Sequence, residues 1–304
     1  MYNEEIKQLY FQTLSEKSRY GISSTICKYA DTGEPVFGKE LGEFTANELL
    51  RTAALQDYVT WASLASSLTR LSRYHEWYVE NYGGRSYTYN EISPYLVDIS
   101  QSMKRNLVGS ITELNSLVSK LSLGDCDIAL PVAYMSWYGI DINDVISLEE
   151  KDVLITGDSV NIVPLEMSIT EPYAVKVFDD YKNTNSTIKY RRNGQEFFKQ
   201  PGKCFIRPIY TGNSKWSNNS VTPRNVNYAF DRDRSLLGEK AQKFQRKNIL
   251  LSGQLNALQI TEKEKGFLSD EDVTHALALE NVKRSSELNP YKWMLEMYKK
   301  AFPD

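Results

Sequence analysis

Histidine and cysteine are scarce in this chain of 304 residues. The two histidines are His75 and His275, and the three cysteines are Cys27, Cys126 and Cys204. The cysteines are scattered without CxxC spacing, a pattern typical of buried thiols in a reducing compartment rather than of a disulfide framework or a zinc site. We therefore expect no metal and no cofactor.

Long apolar runs are also missing. No stretch is long enough to span a bilayer, and the acidic start at residues 1–6 lacks the apolar core of a signal peptide. These absences predict a cytoplasmic protein. The length and the hydrophobic content of 41% allow a large core in one or two domains.

The charge is divided unevenly along the chain. Residues 181–247 hold 15 Lys and Arg against 4 Asp and Glu, a formal charge of +11, whereas the whole chain carries −3. The remainder is therefore at −14. Such asymmetry indicates one face for an anionic polymer, with a merely solvated basic surface as the alternative.

The N-terminal third is predicted to be helical. A helix from Trp61 to about Tyr82 follows from apolar residues spaced by three and four, with His75 at the edge of its buried stripe. Thr45 and Glu48 form a capping box for another helix. A further helix is expected over 89–105, with Pro94 as a candidate break in it. Residues 21–44 are predicted to be a loop because Asp-Thr-Gly-Glu-Pro occupies positions 31–35. We place a domain boundary between residues 107 and 108.

The rest of the chain mixes helices with a few short strands. Residues 127–138 are apolar nearly all round and predict a buried helix, which Gly139 ends before Asp141 caps the next helix. Two apolar runs around residues 156–159 predict a β-hairpin. Further helices are expected after Thr170, after Thr222, over 239–251 with Gly253 as its end, and over 289–302.

This order of elements, together with the run from Tyr138 to Val153 (YGIDINDVISLEEKDV), resembles the tyrosine recombinase (phage integrase) family. The resemblance implies a mainly α fold with a small β-sheet, in class α+β. It assigns residues 1–107 to a helical, SAM-like core-binding domain and residues 108–304 to a catalytic-like domain. In the family the two domains form a C-shaped clamp on duplex DNA.

The active-site set of the family is not intact here. Asp141 stands where the family has its first arginine, and the hairpin turn at 156–159 has no lysine. In the His-x-x-Arg motif, Lys243 replaces the histidine and Arg246 is retained. Phosphoryl transfer needs cations around the phosphate, so the resemblance implies an inactive enzyme.

A nucleophilic tyrosine would have to be Tyr291 or Tyr298. Both lie on the apolar stripe of the last helix, where core packing is the favoured interpretation. The family also implies that this helix, at 289–302, docks onto a neighbouring protomer, although packing within one chain is equally open.

Many cations that could contact DNA phosphates remain in the sequence. Asn213, Asn218 and Asn219 are candidates for reading bases, with turn formation as the alternative. The candidate phosphate contacts are Arg246, Lys243, Lys247, Lys240, Arg224, Lys215, Arg207, Lys203, Lys199, Arg191, Arg192, Arg70, Arg73, Lys104 and Arg105.

The overall pattern also resembles the integrase-like master repressors of SPβ-type Bacillus phages. It implies a double-stranded-DNA-binding transcriptional repressor that maintains lysogeny in a bacterial host cell and responds to an inducer or antirepressor. Two alternatives stay open. One is a divergent active recombinase, and the other is a protein that modulates a partner integrase through protein–protein contacts.

Overall fold

The computed structural model divides the chain into two compact units. Unit 1 comprises Met1–Lys104 and Lys283–Asp304, and unit 2 comprises Arg105–Val282. The boundary inferred from the sequence, between residues 107 and 108, stays a prediction. The structure describes residues 2–88, 90–121, 128–184, 188–190, 195–199, 202–207, 209–210, 221–276 and 285–303, of which 188–190, 195–199, 209–210 and 285–288 are described by backbone alone.

Unit 1 is helical throughout its described residues. Its 3-10 turns are Leu41–Glu43 and Pro94–Leu96. The capping box of Thr45 and Glu48 is confirmed, since Thr45 Oγ1 accepts from the Glu48 N–H at 3.3 Å. The helices are α1 (Glu4–Thr13), α2 (Glu16–Phe37), α3 (Ala46–Ala54), α4 (Trp61–Tyr82), α5 (Ser100–Asn106) and α13 (Ser285–Ala301). The sequence of α5 includes the division between the units at residues 104 and 105, and α13 is the last helix in chain order.

The predicted loop at 21–44 is wrong, because α2 continues through most of it. Ile26, Tyr29 and Ala30 are fully buried on one side of α2. Gly33 permits close packing, since a Cβ there would lie 2.6 Å from the Phe44 ring. The burial of these side chains thus outweighs the weak helix propensity of the Asp-Thr-Gly-Glu-Pro segment. Pro35 lies in the last turn of α2.

A buried ionic network joins the first helices of unit 1. Lys7 Nζ, with no exposed surface, donates to Glu34 Oε1 at 2.5 Å and to Glu40 Oε1 at 2.8 Å. Tyr74 of α4 also donates to Glu40 Oε1, at 2.6 Å. Its pKa is raised by burial and by the neighbouring Glu40 carboxylate, so the phenol stays protonated. The network satisfies one buried cation with two carboxylates and fixes α1 against α2 and α4.

Unit 2 combines helices with short antiparallel strands. Its 3-10 turns are Glu150–Asp152, Val163–Leu165 and Gly238–Lys240. One sheet has the order β1–β2–β3 and the other β4–β5–β6. The elements are α6 (Ile111–Leu121), α7 (Ala129–Trp137), α8 (Ile142–Ser147), β1 (Val153–Ile155), β2 (Val160–Ile162), β3 (Met167–Ile169), α9 (Pro172–Asn183), β4 (Ile188–Tyr190), β5 (Gln195–Lys199), β6 (Ile209–Tyr210), α10 (Pro223–Arg234), α11 (Arg246–Lys265) and α12 (Asp270–Ala276).

The core of unit 2 is built on α7, whose nine residues are all buried. Helix α11 packs closely on α7 at Gly253 in its middle, because a Cβ there would lie 1.8 Å from the Trp137 carbonyl oxygen. The predicted helix over 239–251 ending at Gly253 is therefore wrong: α11 begins at Arg246 and continues to Lys265. Gly253 serves a helix crossing and not a helix end.

Other element predictions have mixed outcomes. The helix after Thr222 and the hairpin of β1 and β2 are confirmed, with Val153 opposite Ile162. The N-cap of α9 is Glu171 and not Thr170, and the predicted helix over 89–105 is reduced to a 3-10 turn and α5. The mainly α fold with a small antiparallel sheet is confirmed. Among the described residues, no helix is long and apolar enough to cross a membrane.

Candidate nucleic-acid interface

The segment that leaves α7 places Asp141 at the start of α8. Gly139 adopts φ +87, a left-handed conformation that suits glycine, and reverses the chain after the buried helix. Asp141 then caps α8, with its Oδ1 accepting from the Asn143 N–H at 2.8 Å. The cap predicted from the sequence is confirmed, and the Asp141 side chain remains exposed.

Arg246 is the first residue of α11 and is 92% buried, with 8% of its surface exposed. Its Nε and Nη1 have no hydrogen-bond partner among the described residues. Burial lowers the pKa of the Arg246 guanidinium, and the nearby negative charge of Asp141 opposes that shift. The fold thus brings Asp141 and Arg246, 105 positions apart in the sequence, into one electrostatic site.

The crossing of α7 and α11 explains why the charge of Asp141 reaches Arg246. Trp137 ends α7, two residues before Gly139, and lies in backbone contact with Gly253. Arg246 is seven residues before Gly253, about two helical turns back along α11. The site is therefore positioned by packed backbone rather than by loops.

Lys243 is held by an acidic partner that the sequence analysis missed. Its Nζ lies 2.8 Å from Glu113 Oε1, and 11% of the lysine side chain is exposed. Glu113 is itself fixed by the Gly109 N–H, which donates to its Oε2 at 2.8 Å. No local sequence signal links positions 113 and 243, because the pair exists only once α6 and the residues before α11 have packed.

The small sheet contributes no cation at either of its turns. The turn between β1 and β2 is closed by the Thr156 N–H donating to the Ser159 carbonyl at 2.8 Å, and it contains Asp158. The second turn, before β3, runs through Val163–Leu165 to Glu166, which adopts φ +48. The absence of a hairpin lysine noted in the sequence holds for both turns of this sheet.

The remaining predicted phosphate contacts differ in their surroundings. Arg207 is drawn inward, with Nη2 3.1 Å from Glu150 Oε1 and 12% of its side chain exposed. In unit 1, Arg70 Nη1 donates to the Gly21 carbonyl and to Thr25 Oγ1, each at 2.9 Å. The exposed side chains among the predicted contacts are Lys203, Arg224, Lys240 and Lys247 in unit 2, Arg73 and Lys104 in unit 1, and Arg105 at the first position of unit 2.

Several predicted contacts lie outside the described part of the chain. These are Arg191, Arg192, Lys215 and the three asparagines Asn213, Asn218 and Asn219, and the side chain of Lys199 is likewise outside the description. Their assignments stay predictions.

The two tyrosines proposed as nucleophile remnants lie on α13 within unit 1. Tyr298 has no exposed surface and packs against Phe302 with ring centroids 4.8 Å apart, so its interpretation as a core residue is confirmed. Tyr291 is half-buried. The apolar face of α13, including Met294 and Leu295, is buried within unit 1, where Met294 Sδ accepts from the Trp61 N–H at 3.4 Å.

The two histidines lie in different surroundings. His75 is 5% exposed, as its place on the α4 stripe predicts, and it hydrogen-bonds the Arg85 carbonyl through Nε2 at 2.7 Å. His275 is an exposed residue near the end of α12. Among the described residues, no group of three or more His, Cys, Asp or Glu side chains is arranged to hold a metal.

Residues 1–80 match the family model described as "MrpR, N-terminal core-binding domain". The domain that this family model describes is a tyrosine-recombinase-like N-terminal domain. A comparison with curated proteins found no match. The family match supports a recombinase-like DNA-binding protein, and it falls on the helices α1 to α4 that form most of unit 1.

Proposed function

We propose that this protein is a sequence-specific, double-stranded-DNA-binding transcriptional repressor of a temperate phage, built on a tyrosine recombinase fold that has lost catalysis. The observation that carries the proposal is the electrostatic site of Asp141 and Arg246. By the resemblance, Asp141 occupies the position at which the family has a cation facing the phosphate. The negative charge of Asp141 acts on the retained Arg246 instead.

Loss of catalysis follows from the charge of this site. Transfer of a phosphoryl group to a tyrosine requires cations placed at the non-bridging oxygens in the transition state. Asp141 repels such oxygens, Lys243 is paired with Glu113, and neither turn of the β1–β2–β3 sheet supplies a lysine. Removing a single preorganised donor typically costs about 10²–10³ in rate, and a reversed charge adds repulsion to that loss.

DNA binding needs a different set of residues, and that set is retained. Lys203, Arg224, Lys240 and Lys247 are exposed in unit 2, within or beside the basic segment of the sequence. Phosphate contacts of this kind supply affinity that falls steeply as salt rises. The core-binding match over residues 1–80 supports the same conclusion for unit 1.

A DNA-binding protein without strand cleavage acts by occupying its site, and we assign this chain to lysogeny maintenance in the bacterial cytoplasm. An inducer or antirepressor would then release the operator. Self-association through residues 289–302 stays an alternative to packing of this helix inside one chain. The burial of Met294, Leu295 and Tyr298 within unit 1 favours packing inside one chain.

One observation favours the divergent active recombinase as a second candidate. Arg246 keeps two buried donor atoms without a partner among the described residues, and a bound phosphate would satisfy them. The two functions differ in chemistry, because an active recombinase forms a covalent phosphotyrosine with cleaved DNA and the repressor does not.

The experiment that tests the proposed function is genome-wide mapping of sites bound by the chain in the lysogen, followed by titration of the recovered duplexes with purified protein at several salt concentrations. We expect saturable binding at promoter sites with a negative dependence on salt. Binding that is absent at every salt concentration would instead indicate a modulator acting through protein–protein contacts.

A further inference from the structure

A groove of about 400 Å³ lies in unit 1, between the C-terminal end of α4 and the start of α3. Its size falls within the range of roughly 300–1,000 Å³ that is typical of small-molecule sites. It is lined by Tyr78 and Tyr82 of α4 and by residues 42–46. His75, Arg85, Tyr87 and Glu91 complete it.

The walls of the groove are held in place by close packing. A Cβ at Gly42 would lie 2.2 Å from Tyr78 Cγ, so the Tyr78 ring rests directly on the backbone there. Tyr87 stacks on His75 with ring centroids 3.7 Å apart and planes at 8°, and its hydroxyl donates to the Phe44 carbonyl. These contacts hold the residues that line the groove in fixed positions.

The imidazole of His75 has one nitrogen that is hydrogen-bonded and one without a hydrogen-bond partner among the described residues. Nε2 faces the Arg85 carbonyl at 2.7 Å, and a carbonyl accepts, so the proton must lie on Nε2. In the neutral ring Nδ1 is then an acceptor, and it is buried without a partner among the described residues. A buried acceptor in this state is stabilised by an incoming N–H donor.

The charges and rings of the groove favour a cation. Arg85 and Glu91 pair with each other at 2.8 Å, which leaves the exposed Glu43 as the uncompensated charge of the lining. Burial, together with the Glu43 carboxylate, raises the pKa of Tyr78 to about 12, so this ring is a neutral phenol near pH 7. Tyr78 and Tyr82 lie with centroids 5.0 Å apart, and neutral aromatic faces attract cations.

We propose that this groove binds an organic ammonium or guanidinium group, which donates an N–H to His75 Nδ1, lies against the Tyr82 ring and has Glu43 as its counter-ion. The same carboxylate disfavours phosphate, so the proposed ligand of the groove is a cation and not DNA. The inference does not rest on the repressor function, because it concerns residues of unit 1 alone.

The test uses the full chain labelled with ¹⁵N-histidine. Only two histidines occur in the sequence, so the ring nitrogens of His75 and His275 can be assigned separately. On titration with methylguanidinium chloride and with agmatine, we expect a saturable shift of the His75 Nδ1 resonance while His275 stays unchanged. N-methylurea, which has N–H donors without the charge, should bind more weakly.

Two variants with a matched control complete the test. Glu43→Gln should weaken binding by about tenfold, and Tyr82→Ala by roughly two- to fivefold, as expected for an exposed cation–aromatic contact. Glu16→Gln, an exposed glutamate on α2, should leave binding unchanged. Equal binding by Glu43→Gln and Glu16→Gln, or an unmoved His75 Nδ1 resonance at saturating probe, overturns the proposal.

The same titration identifies the source of the cation. Acetyl-Gly-Arg-Gly-amide presents the guanidinium as a protein side chain would. Tighter binding of this peptide than of methylguanidinium supports a partner's arginine as the ligand, whereas tighter binding of agmatine supports a free amine. If the peptide, agmatine and methylguanidinium all fail to shift the His75 Nδ1 resonance, the proposed site is rejected. That result does not affect the DNA-binding proposal, because DNA binding is measured separately.

Discussion

The carboxylate of Asp141 acts on the buried guanidinium of Arg246, although Asp141 caps one helix and Arg246 begins another. Burial of Arg246 costs solvation, and the negative charge of Asp141 offsets part of that cost. Asp141 therefore acts as a partial internal counter-ion of the buried arginine.

Asp141→Asn separates the two roles of Asp141. Asparagine caps helices as well as aspartate does, so the start of α8 is retained while the charge is lost. We expect unit 2 to lose less than about 1 kcal/mol of stability, because Asp141 is exposed and water screens its attraction to Arg246, and DNA affinity to rise by about three- to tenfold.

Asp144→Asn is the matched control, since Asp144 is an exposed residue in the same helix. Urea unfolding and DNA titration at one salt concentration measure both quantities. An affinity gain for Asp144→Asn as large as that for Asp141→Asn would contradict a specific role of Asp141 at Arg246.

Gly253→Ala tests the helix crossing that builds the site. In an isolated helix this change stabilises by about 1 kcal/mol, but here the new Cβ would lie 1.8 Å from the Trp137 carbonyl oxygen. We expect a loss of about 3 kcal/mol or more in unfolding free energy. Gly157→Ala, where the Cβ meets nothing within 4 Å, should change it by less than about 1 kcal/mol.

Lys240→Ala combined with Lys247→Ala tests the DNA-binding surface of unit 2. Both lysines are exposed, so we expect little change in stability. If each contacts one phosphate, the slope of log affinity against log salt should become less negative by about 1.8 in total. Lys151→Ala, with 76% of its side chain exposed, is the control in the same unit. An unchanged slope in the double variant would remove these lysines from the interface.

Lys7→Met tests the buried network of unit 1. The change leaves Glu34 and Glu40 buried without their cation, and loss of one partner from a buried pair typically costs about 3–5 kcal/mol. Lys17→Met, at an exposed position of α2, should cost less than about 1 kcal/mol. Circular dichroism during urea unfolding gives both values, and equal values would show that the network does not stabilise unit 1.

Acid should weaken the contacts that the Asp272 carboxylate makes with the Ser269 N–H and with Lys265 in the first turn of α12. The pKa of Asp272 is lowered to about 2 by Lys265, whose Nζ lies 2.5 Å away, and by the Ser269 N–H. A folded pKa below the unfolded value means that the contribution is present above about pH 4 and is lost as the pH falls through about 2. A ¹³C carboxyl titration of Asp272 measures this, and a midpoint near the ordinary value would contradict the contact.

Much of the fold follows from local signals in the sequence. The capping box at Thr45, the stripe of α4, the apolar α7 and the cap at Asp141 all depend on residues close together in the chain. The long α2 was missed because Gly33 and Pro35 are poor helix formers, and its stability comes from packing against residues far along the chain.

The site was predictable to a smaller extent. The positions of Asp141 and Arg246 follow from the resemblance, but their proximity depends on the helix crossing at Gly253 and Trp137. A glycine at position 253 reads locally as a helix end, so the sequence does not reveal this crossing. The pairing of Lys243 with Glu113 could not be read from either residue, because only the packed helices bring them together.

The proposed repressor binds duplex DNA without cutting it. The decisive experiment is incubation of the purified chain with its mapped duplex carrying a nick that traps any tyrosine–DNA adduct, at protein concentrations that saturate binding. We expect full binding and no covalent adduct. A phosphotyrosyl adduct that is lost in Tyr291→Phe or Tyr298→Phe would contradict this expectation and establish an active recombinase.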